Sequence, residues 1–381
     1  MQYLELQASS SRTSYYRLLG DHQGRVERYV VSTAPSRRIC NQPELLGMEF
    51  TGALQEAMTA ALAEAPFSRF LAATPQERVC VVHFLRGGLN FEIRRALSEA
   101  YGFNSHPSAF MSSQRRRIDG RWQVREDMYR KLNIPDKSVL VMGDVVATGV
   151  TIANGMEVIA ERVKRSGGSL RGLVMFTIGC HKAEKVLEDF DKRLRSRYSD
   201  YERTILVYLE GKFRLVDSTT DIRLAIPGTD LIRRGALLAP ELVRSHYEKE
   251  SYPLERCAIY DSGSRSFEVP RYLADTAGYW EAQAEWARGG GTLAEALQER
   301  WPEDDYRTMD NFLEIHRRRW RGVPDPLLID IHDGFKRRKE QSKRLATAEA
   351  LRRLCADRLA ALRAAGGQET RANAVPGAAR S

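Results

Sequence analysis

The sequence predicts an α/β fold with an open, mainly parallel sheet that has helices on both faces, followed by a mostly helical C-terminal extension. Between residues 76 and 235, short continuous apolar runs rich in β-branched residues alternate with helical patterns. This alternation is typical of crossover units whose strands are buried on both faces. Beyond residue 235 such apolar runs give way to polar helical patterns, which predicts the extension.

The predicted elements follow in order along the chain. Residues 1–75 contain a strand, RVERYVVST, and a helical run, GALQEAMTAALAEA, and this segment is expected to pack on the core. In the core, residues 76–235, the predicted strands are VCVVHFL, SVLVMGDVV, LRGLVMFTIGC and RTILVYLEG. The helices between them are LNFEIRRALSEAYG, TIANGMEVIAERVKR and HKAEKVLEDFDKRLRSRY.

The C-terminal third is predicted to be helical and basic. Residues 236–345 hold the helical patterns WEAQAEWARGGGTLAEALQERW and NFLEIHRRRWRG. From residue 336, KRRKEQSKRLATAEALRRLCADRLAALRAA is predicted to be one long basic helical run. Residues 346–381 are therefore expected to form a basic helix and a disordered tail, GGQETRANAVPGAARS.

Composition limits the possible classes of protein. Of 381 residues, 43% are hydrophobic and 29% are charged, which is globular composition. The five cysteines are far apart and form no CxxC pair, which argues against a disulfide framework or zinc site and for reduced thiols in a cytoplasm. No membrane span or secretory signal is apparent. The net charge of +9 favours anionic ligands.

A candidate anion site follows the predicted strand in VLVMGDVVATGVT. In an open parallel sheet, ligands bind beyond the carboxyl ends of the strands, and Thr148-Gly149-Val150-Thr151 falls there. Gly149 permits close backbone approach, and N–H groups at the start of the following helix can bind an anion. The alternative is an ordinary strand-to-helix turn with Thr151 as the N-cap.

The same stretch resembles the signature of the type I phosphoribosyltransferases, in which apolar residues precede two acids, three further residues, then TG and a hydroxyl residue. It departs at Gly143, where the family usually has its first acid. The resemblance implies that Thr148, Gly149, Val150 and Thr151 bind the 5′-phosphate of phosphoribosyl pyrophosphate (PRPP). It also implies that Asp144 faces the ribose as a catalytic residue and meets Mg²⁺ through water or substrate.

Upstream, FLRGGLNFEI resembles the pyrophosphate loop of this family, especially of its uracil branch. The resemblance implies that Leu85, Arg86, Gly87 and Gly88 bind pyrophosphate, with Arg86 as a second catalytic residue. The guanidinium offers a fixed fork of donors for phosphate oxygens. The alternative is a solvated arginine at a strand end, followed by a tight turn.

Two further segments resemble the family less closely. PSAFMSSQRRRIDGRWQVRED lies where the family has a mobile loop, so Arg115, Arg116 and Arg117 could neutralise pyrophosphate; a solvated basic hairpin is an equal alternative. In AIPGTDLIRRG, a Pro-Gly precedes an acid, as at the base site of the uracil enzymes. The candidate base-binding residues there are Pro227, Gly228, Thr229 and Asp230, although a surface turn is the favoured interpretation of this stretch alone.

The resemblance implies a Mg²⁺-dependent phosphoribosyltransferase, expected to be a homodimer, that transfers from PRPP to a nitrogenous base and releases pyrophosphate. The alternative is a non-catalytic ligand sensor or regulator with the same fold. The basic clusters HRRRWR (316–321) and KRRK (336–339) could contact nucleic acid phosphates. Solvated helix faces are the favoured interpretation of these clusters, because the chain carries no nucleic-acid-binding signature.

Overall fold

The computed structural model describes residues 1–21, 24–118, 121–224, 230–256, 262–302, 306 and 308–373. Within them, the strands are β1 (Tyr3–Ser9), β2 (Thr13–Leu19), β3 (Glu27–Thr33), β4 (Val79–Leu85), β5 (Ser108–Ile118), β6 (Arg121–Leu132), β7 (Ser138–Val146), β8 (Leu170–Cys180), β9 (Arg203–Leu215), β10 (Leu231–Leu238) and β11 (Trp320–Arg321).

The helices are α1 (Ala34–Asn41), α2 (Gly47–Ala63), α3 (Ser68–Ala72), α4 (Ile93–Tyr101), α5 (Val150–Arg165), α6 (His181–Arg197), α7 (Pro240–Ser245), α8 (Ser262–Phe267), α9 (Val269–Arg288), α10 (Leu293–Arg300), α11 (Met309–Arg319), α12 (Asp325–Glu340), α13 (Ser342–Leu345) and α14 (Ala348–Asn373). Two short 3₁₀ helices, Gln76–Arg78 and Gly87–Phe91, flank β4. Among the described helices, none combines the length and apolar character that crossing a bilayer requires.

The strands form one mixed, mostly parallel sheet, which confirms the predicted fold class. Its order is β11-β1-β2-β3-β9-β8-β7-β4-β5-β6, and β10 pairs with β9 beside this path. The consecutive neighbours from β3 to β5 in this order are all parallel. Each of the four core strands that were predicted, β4, β7, β8 and β9, is almost wholly buried, as the continuous apolar runs required.

Helices cover both faces of the sheet. One group consists of α1, α2 and α4, which pack together, and the other of α5 and α6, which pack against β4 and β5 and against β8 and β9, respectively. A large hydrophobic core lies between these layers. A second cluster, formed by residues of α9, α10 and α14, stabilises the C-terminal helices.

The N-terminal and C-terminal segments extend the sheet of the core. Strand β3 pairs with β9 from Glu27↔Ile205 to Val31↔Leu209, and the Arg203 guanidinium binds the Glu27 carboxylate at 2.6 Å. The two-residue strand β11 pairs with β1. The predicted boundary at residue 235 falls within β10, so this part of the extension begins as a strand rather than as a helix.

The predicted single basic helix from residue 336 is wrong, because α12, α13 and α14 are separate helices. The break before α14 is stabilised locally: the Thr347 hydroxyl accepts a hydrogen bond from the Ala350 N–H at 3.2 Å, as an N-cap residue does. Helix α14 continues to Asn373, so the first part of the predicted disordered tail is helical. Residues 374–381 lie outside the described part of the chain.

Candidate functional site

Three turns that follow β4, β7 and β8 meet at the carboxyl edge of the sheet. Strand β7 lies between β4 and β8 and is parallel to both, so the turns lie side by side. The turn after β4 carries Arg86, the turn after β7 carries Gly149, and the turn after β8 leads into His181. The structure thereby brings together the two best-matched motifs of the sequence.

The turn after β7 presents the start of helix α5 to this edge. Gly149 is the N-cap residue, with a left-handed φ of 75°, and no described side chain caps the helix. The first helical hydrogen bond runs from the Ala153 N–H to the Gly149 carbonyl at 2.9 Å. The alternative with Thr151 as the N-cap is therefore wrong. N–H groups in such a first turn are the donors that bind anions at helix termini.

Close packing fixes the position of α5. A Cβ on Gly155 would overlap the ring of Phe84 in β4, so only glycine allows the helix to approach the strand this closely. At the N-terminus of α5, a Cβ on Gly149 would lie 3.4 Å from the Cβ of Lys182. The turn at residues 148–151 therefore lies against the start of α6.

The start of α6 carries both basic and acidic side chains, among them Lys182 and Glu184. The pKa of His181 is lowered by partial burial and by the positive charges of Lys182 and Lys212. The Lys182 side chain thus begins beside the turn that precedes α5, whereas the Lys212 ammonium pairs with the Glu184 carboxylate at 3.2 Å. Lys182 becomes a neighbour of the turn only through the parallel pairing of β7 and β8, so no local pattern in the sequence indicated it.

The turn after β4 is packed directly on β7. The Leu85–Arg86 peptide bond is cis, and the residues that follow form the 3₁₀ helix Gly87–Phe91. A Cβ on Gly88 would lie 3.1 Å from the Gly143 carbonyl oxygen, which is tighter than ordinary contact. Below this turn, His83 stacks on Phe110 with ring centroids 4.9 Å apart, and burial lowers the pKa of His83 to about 4.

Arg86 is half-exposed and contacts the C-terminal extension. Its guanidinium forms an ion pair with Glu268 and lies 5.5 Å from the centroid of the Phe267 ring. Neither residue was singled out in the sequence. Glu268 is 182 residues from Arg86 along the chain, so no local pattern could have indicated the contact.

The structure accounts for the glycine at residue 143, where the sequence departs from the signature that it resembles. A Cβ on Gly143 would overlap Cγ and Cδ1 of Phe91 and lie 2.7 Å from its Cβ, and Phe91 is fully buried. The second acid position is Asp144, which is partly buried and accepts a hydrogen bond from the Val145 N–H at 2.8 Å. No cluster of three metal-binding side chains occurs among the described residues.

The structure describes the remaining candidate residues only in part. The predicted mobile segment forms the antiparallel hairpin β5–β6, whose register places Arg116 opposite Gln123. The side chains of Arg115, Arg116 and Arg117, and the tip residues Asp119 and Gly120, lie outside what the structure describes. The same is true of three candidate base-binding residues, Pro227, Gly228 and Thr229.

Asp230 is 1% exposed. Its Oδ1 lies 3.4 Å from Nε of Arg256, and its Oδ2 lies 3.3 Å from the Arg300 guanidinium. This carboxylate joins β10 to the C-terminal helices and is enclosed by its two arginines. Because Asp230 is buried and paired, it is better explained as a structural anchor of the candidate base-binding segment than as part of a surface turn.

The basic cluster 316–321 is largely occupied by contacts within the chain. Arg317 pairs with Asp325 at 2.8 Å and Arg318 with Glu314 at 2.5 Å. Arg319 donates to the Ala236 carbonyl at 2.8 Å. In the second cluster, Arg338 donates to the carbonyl of His246. Arg319 and Arg338 therefore bind backbone carbonyls within the fold, whereas the ion pairs of Arg317 and Arg318 lie at the surface.

Comparison with known proteins gives structural similarity only. No family model and no curated protein matches the chain. Among solved structures, it is similar to the AQ2163 protein from Aquifex aeolicus (16% identity over 47% of this chain and 84% of that one, TM-score 0.33). It is also similar to adenine phosphoribosyltransferases from Trypanosoma brucei (15% identity, 48% and 83%, TM-score 0.30) and Leishmania donovani (20% identity, 40% and 69%, TM-score 0.26). At these identities the similarity concerns the fold alone and assigns no activity.

Proposed function

We propose that the chain is a Mg²⁺-dependent phosphoribosyltransferase that transfers the phosphoribosyl group of PRPP to a nitrogenous base or related acceptor and releases pyrophosphate. One observation carries the proposal. The open N-terminus of α5, with Gly149 as its left-handed N-cap, lies beside the turn of Arg86 on the adjacent parallel strand. Two neighbouring anion sites suit a substrate with a phosphate at one end and a diphosphate at the other.

The phosphate loop would hold the 5′-phosphate. The N–H groups of Val150 and Thr151 belong to the first turn of α5, where the helix dipole favours an anion. The hydroxyls of Thr148 and Thr151 are additional donors. Lys182, which lies against Gly149, adds positive charge nearby.

The Arg86 turn would hold the leaving group. Breaking the bond between C1 of the ribose and the diphosphate leaves positive charge on the ring and negative charge on the diphosphate. Arg86 would stabilise that negative charge, and Gly87 and Gly88 would allow backbone N–H groups to approach it. Asp144, at the end of β7 between the two turns, would bind ribose hydroxyls and face the developing cation.

Mg²⁺, when bound with PRPP, would neutralise diphosphate charge. At the end of β7 the described residues offer one carboxylate, Asp144, and the described chain holds no metal-binding cluster. That donor set fits an ion that keeps several waters and binds largely through substrate oxygens. Asp144 would therefore meet the ion through water or through the ribose hydroxyls.

The hairpin and the segment before β10 would complete the site. The arginines at 115, 116 and 117 would neutralise pyrophosphate as the hairpin closes and excludes water. Pro227, Gly228 and Thr229 would contact the acceptor base. Asp230, enclosed by two arginines, would anchor this segment without contacting the base. The homodimer, the cytoplasmic location and the uracil-type character of the loop stay predictions.

Two measurements test the proposal. The first incubates the full chain with PRPP, Mg²⁺ and a panel of bases and records pyrophosphate release, which is expected for at least one base. The second compares PRPP affinity by calorimetry for the parent and for Thr148→Val combined with Gly149→Ala. We expect the double variant to bind at least about tenfold more weakly, since it loses a hydroxyl donor and strains the left-handed N-cap.

Gly167→Ala is the matched control. Gly167 is also left-handed, follows the other end of α5, and has nothing within 4 Å of an added Cβ. Gly167→Ala therefore introduces the same kind of backbone strain at a position outside the site, and it should leave PRPP affinity unchanged. If the double variant binds PRPP as tightly as the parent, the loop is wrongly assigned.

A ligand sensor with the same fold is the second candidate. The observation that favours it is the single carboxylate at the end of β7, because Phe91 fills the space beside Gly143 and leaves no room for a second acid there. PRPP binding without pyrophosphate release for any base of the panel would favour this function over catalysis.

A further inference from the structure

The C-terminal extension reaches the candidate pyrophosphate loop through α8 and the residues that follow it. Helix α8 packs on the 3₁₀ helix Gly87–Phe91 and on α2. At its end, the Phe267 ring lies beside the Arg86 guanidinium. The next residue, Glu268, forms the ion pair with Arg86. Nothing in the proposed function requires this contact.

A buried arginine fixes α8 in place without involving Arg86. Arg265 is fully buried and donates to the carbonyls of Leu45 at 2.6 Å, Ile39 at 3.0 Å and Gln42 at 2.5 Å. Its guanidinium also lies 4.6 Å from the centroid of the Phe50 ring. Because α8 is anchored in this way, Glu268 occupies a fixed position beside the loop.

We propose that Glu268 is a positioning residue that holds the Arg86 guanidinium ready for a diphosphate group, so that the C-terminal extension completes the anion site. This inference rests on the proposed function of Arg86. An arginine has five N–H donors in a rigid fork. Its contact with Glu268 uses Nη2, which leaves donors for phosphate oxygens. Holding the side chain in one rotamer removes part of the entropy that binding would otherwise lose.

If Glu268 instead competes with pyrophosphate for Arg86, its removal should change the pyrophosphate affinity in the opposite direction. A carboxylate that simply competed with pyrophosphate for Arg86 would weaken binding, and its removal would tighten it. Orientation requires the hydrogen bond, whereas competition requires the negative charge. Glu268→Gln keeps an amide oxygen that can accept from Arg86 and removes the charge, while Glu268→Ala removes both.

The experiment measures binding of inorganic pyrophosphate with Mg²⁺ to the full chain by calorimetry. For a positioning role, we expect Glu268→Ala to bind about tenfold more weakly, as the lost rotamer restriction implies. Glu268→Gln should restore binding to the parent level or better. Glu281→Ala is the control, because Glu281 is an exposed acid on α9, and it should bind as the parent does. Tighter or unchanged binding by Glu268→Ala would overturn the inference.

Arg86→Ala separates this inference from the proposed function. If Arg86→Ala binds pyrophosphate as the parent does, the assignment of the loop itself is wrong. If Arg86→Ala loses binding and Glu268→Ala retains it, the loop assignment stands and only the role of Glu268 is wrong.

Discussion

A side chain added at Gly143 is expected to destabilise the protein, because it would overlap the buried side chain of Phe91. Gly143→Ala adds a methyl group that would overlap two ring atoms of Phe91 and lie 2.7 Å from its Cβ. Carbon atoms pack best at about 3.5–4.0 Å. The nearest atoms belong to the base of a fully buried side chain, which cannot swing aside as a flexible chain end does.

The expected magnitude follows from this overlap. Overpacking typically costs about 1–3 kcal/mol, and the position of the overlap places Gly143→Ala near the upper end. Phe91→Ala alone should cost about 3–5 kcal/mol as a cavity. In the Phe91→Ala background the ring is gone, so Gly143→Ala should cost about 1–2 kcal/mol less than in the parent.

A double-mutant cycle measures this coupling through urea unfolding of the parent, both single variants and the double variant. Gly52→Ala is the control, because nothing lies within 4 Å of a Cβ at that helical glycine; it should stabilise by about 0.5–1 kcal/mol. The reasoning fails if Gly143→Ala costs the same in both backgrounds. Gly143→Asp would add a buried charge to the same overlap, so it should cost more than Gly143→Ala.

Three further results are expected. Burial raises the pKa of Glu210 to about 7 from 4.5, so the folded state binds this proton more tightly; the parent should lose roughly 2–3 kcal/mol of stability from this group between pH 5 and pH 8. In urea unfolding, Glu210→Gln should remove this dependence of stability on pH. An unchanged pH dependence would show that Glu210 is not its source. Asp230→Asn should cost about 3–5 kcal/mol, because two buried arginines lose their counter-charge; a thermal midpoint equal to that of the parent would refute it. Arg265→Ala should lower both the thermal midpoint and pyrophosphate affinity, because α8 loses its anchor, and retained affinity would show that the anchor is not needed.

The strands at the centre of the sheet were predictable from the sequence, whereas β10 was not. In β4 and β8 the apolar runs at residues 79–82 and 173–176 are continuous, so burial on both faces is visible in the sequence itself. Strand β10 contains Arg233 in its interior. That arginine is buried because its guanidinium donates to the Cys40 carbonyl at 2.6 Å and to the Asn41 side chain at 3.0 Å, and these acceptors cannot be identified from the strand alone.

The candidate site also combines features that the sequence predicts with features that only the folded chain reveals. The Thr148–Gly149 turn was predictable because the strand, the turn and the helix are contiguous. The absence of the first acid was also visible, but its physical cause was not, since Phe91 lies over Gly143 only when the turn after β4 packs on β7. The contact of Glu268 with Arg86 depends on how the extension folds back, which no local pattern encodes.

The pairing of β1 with β11 also sets a condition on folding during synthesis. Leu4 in β1 pairs with Trp320 in β11, and β3, at the other side of the β1–β2–β3 unit, pairs with β9. The first three strands therefore leave the ribosome long before either partner exists. Contacts of such large sequence separation form slowly, and strand edges are prone to aggregate until their partner strands have been synthesised. Synthesis interrupted before residue 321 should yield a species that chaperones bind and proteases cleave.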